Sequence, residues 1–346
     1  MNNIPMKFIS QEDVAEIFKG NADALFEVIE DAFKKYLHGS VLFPDKISQI
    51  FDQKTQNRIN CMPATLLGDD MVCGMKWVSV FPTNAPQGIQ NVTGVMLLSE
   101  INKGFPIAVI DGTLATKMRT SGVGCVAAKY LAPSKVEKIG IIGSGEEARM
   151  HFALLKHLFP TIKECRVSSR KAESEDAFIA KFKDITTDVT FVACGNDSHK
   201  CAVDADIIVT AISGQAPVLK AKDITKGSLY IHVGGWEDEF EVALKAKKIV
   251  CDDWEASKHR TQTICRMYKE GILKDHDIHA NLSDLISGRK KGRENDDEFI
   301  YFNSVGLSYI DLNFANYIYK EAVKRGLGKD VVLAKDNNVD YSALIY

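Results

Sequence analysis

Residues 138–149 read KIGIIGSGEEAR: an apolar stretch, then Gly143-Ser144-Gly145, then Glu146, Glu147 and Ala148 where a helix would begin. In a strand–turn–helix of this kind Gly143 permits the tight turn and Gly145 lets a pyrophosphate approach the main chain. Ala148 lets the helix pack closely on the strand, and the first helical amides face the phosphates. A dinucleotide-binding turn is expected here. In the commonest arrangement such a turn lies near the N-terminus, yet 137 residues precede this one.

Downstream, the segments KIGIIG, EEARMHFALLKHLF, ECRVSS, SEDAFIAKFK, VTFVA, DIIVTAI, LYIHVG and KIVCDD alternate between strand and helix patterns. Alternation of this kind implies a parallel sheet with helices on both faces. Upstream, residues 22–38 place Ala24, Leu25, Val28, Ile29, Ala32, Phe33 and Tyr36 on one helical stripe. RINCMPATL, MVCGMKWVSVF, VTGVMLLSE and FPIAVIDG then read as strands of a mostly antiparallel sheet, and GTLATKMRTSGVGCVAAKYLA as a helix leading onward. The last forty residues hold an amphipathic helix, LNFANYIYKEAVKR, and a polar tail. The expected fold class is α/β, a Rossmann doubly wound parallel sheet inserted in an α+β substrate-binding and dimerisation domain. Residues 1–130 plus 312–346 would form that outer domain, and 131–311 the dinucleotide-binding domain.

Composition narrows the function. The 346 residues, 45% hydrophobic and 26% charged, suffice for two packed cores. A net charge of -3 and the lack of a basic face interleaved with aromatics argue against nucleic acid and anionic membrane as partners. The start, MNNIPMKFISQEDV, is unlike a signal peptide, and no run of about 18 apolar residues occurs. Eight scattered cysteines without a CxxC pair read as reduced thiols, so a cytoplasmic enzyme of small-molecule metabolism is expected. DHDIH (275–279) lacks a ligand frame and reads as a solvated loop, so no metal is expected. His232, at a strand end, reads equally as a satisfied core histidine or a catalytic one.

The second strand of the dinucleotide fold ends in Ser168, Ser169, Arg170 and Lys171. An NAD site usually carries an acid here for the ribose hydroxyls, whereas Ser and Arg suit a 2′-phosphate. NADP(H) is favoured over the alternative, NAD(H); without a cofactor role the segment reads as an exposed basic loop.

Lys76 in GMKWVSVF, Arg119 in ATKMRTSG and the block GRENDDEFIYFNSVGLSYID (292–311) together resemble the ornithine cyclodeaminase/mu-crystallin family, from about residue 40 to about 325. KIVCDDW and GRENDDE look most like its siderophore-pathway N-(2-amino-2-carboxyethyl)-L-glutamate dehydrogenases, which release 2,3-diaminopropionate and 2-oxoglutarate. The resemblance implies an oxidoreductase acting on the C–N bond of an amino or imino acid, built as a homodimer. The alternatives within it are opine cleavage, ornithine cyclisation and imino acid reduction; a non-catalytic NADPH-binding protein of mu-crystallin type is the alternative outside catalysis.

By the same resemblance, Lys46 in FPDKISQIF, Lys76 and Arg119 hold substrate carboxylates, and Lys76 counts among the catalytic residues. The cyclodeaminases carry a catalytic aspartate after a Gly-Gly pair, but HVGGWEDEFEV has Trp236 there. The siderophore-pathway pattern brings Glu237 to that position and the mu-crystallin pattern points nearer Asp238. The dinucleotide frame and the resemblance together give Thr120, Gly143, Ser144, Gly145, Glu146, Ala148, Ser169, Arg170, Lys171, Ala211, Ser213, Val233, Gly234, Ser304, Val305 and Gly306 as cofactor-binding residues.

Overall fold

The computed structural model describes residues 3–334 together with Ser342 and Ile345. It divides into two units, the first built from Met1–Asn21, His38–Thr116 and Ser308–Tyr346, the second from Ala22–Leu37 and Lys117–Leu307.

The first unit holds an eight-stranded sheet in the order Lys329–Ala334, Ile4–Ile9, Pro106–Asp111, Val92–Glu100, Val72–Val80, Arg58–Leu66, Val41–Leu42, with Ile47–Ile50 also paired to Arg58–Leu66. Every pairing is antiparallel except that of Ile4–Ile9 with Pro106–Asp111. Alternation decides the faces. Met62, Ala64, Leu66, Val72, Val78, Met96 and Leu98 are buried, and the helix Ser308–Arg325 packs on their strands. Trp77, Val95 and Ile47 remain exposed. The four strands expected from 58–112 all form. The tail expectation needs correction: Lys329–Ala334 is a strand, antiparallel to Ile4–Ile9. Its side chains stay exposed, so main-chain bonding at the sheet edge, and no apolar alternation, makes it a strand.

The second unit is an all-parallel eight-stranded sheet, ordered Thr190–Ala193, Glu164–Ser168, Lys138–Ile142, Ile207–Thr210, Leu229–His232, Ile300–Asn303, Lys248–Cys251, Ile278–Asn281. The order turns back between Lys138–Ile142 and Ile207–Thr210, which opens a crevice beyond their carboxyl ends. A late strand, Ile300–Asn303, enters the middle of the sheet. A small parallel pair, Gln215–Leu219 with Trp236–Asp238, lies outside it.

The stripe read in residues 22–38 is the buried face of the helix Ala22–Leu37, apart from Tyr36, which is half-buried. This helix groups with the second unit, whereas the sequence reading puts it in the first. Its Leu25 and Ile29 sit over Gly122, where a Cβ would come within 2.4 Å of either side chain. No helix among the described residues is long and apolar enough to cross a membrane.

Candidate active site

Five loops leave the carboxyl ends of the second unit's strands, and they carry nearly all the expected cofactor residues. The first is the glycine turn. Gly143 has φ +117°, and a Cβ there would lie 2.4 Å from the Ala211 carbonyl oxygen, so only glycine fits. Gly145 is the N-cap of the helix Glu146–Leu158 and gives it no side-chain cap. A Cβ on Gly145 would meet nothing within 4 Å. Uncapped amides facing open space fit a pyrophosphate. Ala148 is fully buried, as close packing of helix on sheet requires. Glu146 is tied to Arg149 at 2.7 Å and lies 3.9 Å from Lys117.

The second loop, Ser168–Lys171, is joined to the first because Gly143 N–H donates to the Ser168 carbonyl at 2.8 Å. Ser169 is half-buried, and Arg170 and Lys171 are exposed. Ala211 and Ser213 follow the fourth strand in sheet order, and Val233 and Gly234 the fifth.

Those last two loops are tied together by Glu237. Its Oε1 accepts Ile212 N–H at 2.8 Å, and its Oε2 accepts Gly234 N–H at 3.0 Å and the Thr210 hydroxyl at 2.7 Å. The side chain is fully buried. Asp238 is fully buried as well and accepts the hydroxyls of Thr263 at 2.6 Å, Tyr301 at 3.2 Å and Tyr230 at 3.4 Å. Burial pushes its carboxyl from an ordinary 3.8 to about 6. The two acid/base candidates thus act as braces inside the protein. Trp236 is half-buried, with the Arg266 guanidinium 4.6 Å from its ring centre. His232 Nε2 lies 3.5 Å from Asp238 Oδ1 and 3.7 Å from Glu237 Oε2. Neither His232 ring nitrogen, nor the amide of its sheet neighbour Asn303, has a hydrogen-bond partner among the described residues.

The fifth loop is the Ser304-Val305-Gly306 turn. A buried carboxylate that sequence reasoning missed, Asp252, organises it. Asp252 Oδ2 accepts Val305 N–H at 2.7 Å, Gly306 N–H at 3.0 Å and the Ser304 hydroxyl at 3.3 Å. Desolvation nevertheless raises its carboxyl to about 6. An acid ending the apolar strand of KIVCDD was the available signal. The Val305 and Gly306 amides are therefore already engaged. Gly306 has φ +79°, and a Cβ there would come 2.8 Å from Arg119 Nη1, so the nearly buried guanidinium lies against this turn. Thr120 follows it on the helix Gly112–Leu131.

In the first unit, Lys76 points to the buried face and pairs with Asp311 Oδ1 at 2.7 Å, both groups almost fully buried. An ammonium in a methionine-lined interior, with Met62 and Met96 beside it, requires such a partner. Asp311 had no signal beyond its place in the 292–311 block. Lys46 is half-buried, just before the strand Ile47–Ile50.

The two motifs that suggested a siderophore enzyme meet each other. Lys248 of KIVCDDW reaches Glu294 at 2.8 Å and Glu298 at 3.3 Å, both in GRENDDE. Arg293 donates to the carbonyls of Leu131 at 2.8 Å and Glu298 at 2.6 Å. DHDIH forms a turn and the start of the strand Ile278–Asn281, with Asp275 accepting the Trp254 indole N–H at 2.8 Å.

Residues 6–326 match the ornithine cyclodeaminase/mu-crystallin family. The chain belongs to that family. It is 31% identical over 327 residues to the alanine dehydrogenase of Archaeoglobus fulgidus, covering 93% of this chain and 97% of that one. Identity is also 31% over 318 residues to a Bacillus cereus Delta(1)-pyrroline-2-carboxylate reductase, covering 90% and 95%. The N-((2S)-2-amino-2-carboxyethyl)-L-glutamate dehydrogenase of Staphylococcus aureus is 25% identical over 332 residues, 94% and 98%. Among solved structures, the Thermococcus litoralis Delta(1)-pyrroline-2-carboxylate reductase in complex with NADH and L-proline superposes with a TM-score of 0.88 at 28% identity, covering 94% and 100%. An archaeal alanine dehydrogenase dimer with bound NAD gives 0.85 at 29%, covering 95% and 100%. The chain is an NAD(P)-dependent oxidoreductase of amino or imino acids.

Asp238 gives the site a pH signature. Its folded value of about 6 lies above the unfolded one, so the native state holds the proton more firmly. Its burial therefore takes nothing from stability below about pH 4 and progressively more as the pH rises to about 6. A displacement of that size corresponds to on the order of 3 kcal/mol. Asp238→Asn keeps an accepting oxygen for Thr263, and should gain stability relative to wild type as pH rises through this window. Urea midpoints of both proteins measured across it would show the change; a difference independent of pH would exclude titration of Asp238 there.

Proposed function

We propose that the chain is an NADPH-dependent reductase of 2-imino acids, cyclic ketimines of the pyrroline-2-carboxylate kind foremost, able to run in reverse as an amino acid dehydrogenase. The observation that carries this reading is the fate of the two carboxylates after Gly235. Opine cleavage and cyclodeamination both add a nucleophile to an imine carbon, and a carboxylate at the reacting centre is a suitable base. Glu237 and Asp238 are buried and already accept amides and hydroxyls. Reduction of an imine requires a clamp for the carboxylate, a proton for the nitrogen and a hydride.

A nicotinamide dinucleotide held by the five loops supplies the hydride. Arg119 grips the substrate carboxylate with its planar fork. Lys46 serves as a second cation. Lys76 keeps the substrate-binding and catalytic role that the resemblance gives it, and to protonate the imine nitrogen it would have to exchange its buried pairing with Asp311 for the substrate. Glu237 and Asp252 fix the loops around the nicotinamide, which is positioning rather than chemistry. Residues 1–130 plus 312–346 keep the proposed substrate and dimerisation role, and 131–311 the cofactor role.

For the cofactor we favour NADP(H) over NAD(H). Arg170 is exposed at the end of the second strand, where no carboxylate accompanies it in the Val167–Lys171 segment. The enzyme is further proposed to be a homodimer joined through the outward face of the first sheet, where Trp77, Val95 and Ile47 are 37%, 43% and 61% exposed. Eight free cysteines, six of them buried, suit the reducing cytoplasm.

Four measurements test this. NADPH oxidation with Δ1-pyrroline-2-carboxylate should exceed NAD-linked release of 2-oxoglutarate from N-(2-amino-2-carboxyethyl)-L-glutamate; the opposite ranking would restore opine cleavage. Arg119→Ala should raise the KM for the imino acid about tenfold or more, as loss of a charge-assisted bond of roughly 1.5–3 kcal/mol implies, with NADPH affinity intact. Fluorescence titration should give wild type at least about a tenfold preference for NADPH over NADH, reduced by Arg170→Ala; equal affinities would withdraw the cofactor assignment. Sedimentation should show a dimer that a Trp77→Lys, Val95→Lys variant converts to monomer, and a monomeric wild type at micromolar concentration would remove the assembly.

A further inference from the structure

Glu175 offers an acid close to the end of the second strand, where an NAD enzyme would use one on the ribose. It is committed elsewhere. Standing in the first turn of the helix Ala172–Phe182, it is fully buried. Its Oε1 accepts Ser169 N–H at 2.7 Å and Asn196 N–H at 3.2 Å, and its Oε2 accepts Gly195 N–H at 2.9 Å. Gly195 and Asn196 have φ +64° and +62°, successive left-handed residues whose amides converge on one point. Both amides therefore meet one anion, and that anion is the protein's own carboxylate.

We infer that Glu175 is a positioning residue for Arg170, and through it sets the preference at the 2′ position of the adenosine ribose. The inference rests on the NADP(H) reading above. The loop is held from both sides. Ser168 accepts from Gly143 N–H at 2.8 Å, Ser169 gives its N–H to Glu175, and the Ser169 hydroxyl donates to the Lys171 carbonyl at 2.9 Å. Arg170 therefore has a fixed backbone and an exposed side chain. A guanidinium on a fixed stem loses less freedom when it meets a phosphate, so the anchor strengthens a 2′-phosphate contact and does little for a bare hydroxyl. The three amides also hold this carboxylate in place, away from a ribose where it would repel that phosphate.

The test compares NADPH and NADH affinities, by fluorescence titration, in wild type, Glu175→Ala, Arg170→Ala and the double variant. Glu175→Ala should weaken NADPH about tenfold while NADH changes less than about twofold, and should add nothing to the ratio once Arg170 is gone. Should the alanine variant not fold, Glu175→Gln, which keeps one accepting oxygen, should show the same change in reduced size. Equal loss of both cofactors, or a further drop in the ratio in the double variant, overturns the inference. A wild-type preference that survives Glu175→Ala overturns this inference alone; a wild type with no preference overturns the NADP(H) reading and this inference with it.

Discussion

Main-chain amides at the carboxyl end of a parallel sheet set the terms for the second unit. Loops there must turn sharply, so their N–H groups lose the ladder and point inward, where water cannot serve them. Leaving one unmet costs roughly 1–3 kcal/mol, and a buried carboxylate without donors costs more. The chain satisfies both needs at once by bringing Glu175, Glu237 and Asp252 beneath the loops. Each ties at least two main-chain amides to one rigid acceptor. Loops held in this way can present a cofactor cradle without first being ordered by the ligand.

Desolvation sets how far this device can go. Asp252 receives the amides of Val305, Gly306 and Asp253, yet burial still lifts its carboxyl to about 6. Asp238, served by hydroxyls, reaches a similar value, and burial, reinforced by the same carboxylate, pushes the Tyr230 and Tyr301 phenols upward beside it. The first unit meets the same difficulty with a different partner, a lysine against an aspartate in a methionine-lined interior. In each case the charge is retained where an apolar side chain would pack more cheaply. Such retention marks groups kept for geometry or chemistry rather than for stability.

The sequence carried the architecture well because periodicity reports burial. The glycine turn, the alternating strands of 58–112 and the parallel sheet all follow from side chains that face a core. Lys329–Ala334 escaped because its exposed side chains show no buried face, and the Asp330–Lys7 pair that marks the edge it joins spans most of the chain. Ala22–Leu37 was legible as a helix but its unit was not, since an apolar stripe does not name the surface it covers. The site divided in the same way. Gly143, Gly145 and Ala148 are visible because each is a steric requirement, whereas Glu175, Asp252 and Asp311 act through main chain or through a partner distant in sequence.

Motif likeness and chemical likeness separate at Lys248. KIVCDDW and GRENDDE suggested opine chemistry, but what joins them is a lysine reaching two glutamates, with Arg293 fastening the second segment to neighbouring carbonyls. A brace of that kind serves any substrate the fold accepts, so its presence speaks to shared construction rather than to shared reaction. Residues that face the reacting carbon carry the reaction instead. In sequence the chain departs from the cyclodeaminase pattern, with Trp236 where an aspartate would stand; its ring lies against Arg266, and the next two acids are turned inward. Under the reductase reading proposed above, an indole at this place would shape a pocket around a compact apolar ring without activating water, which is the combination that reading needs for a preformed imine.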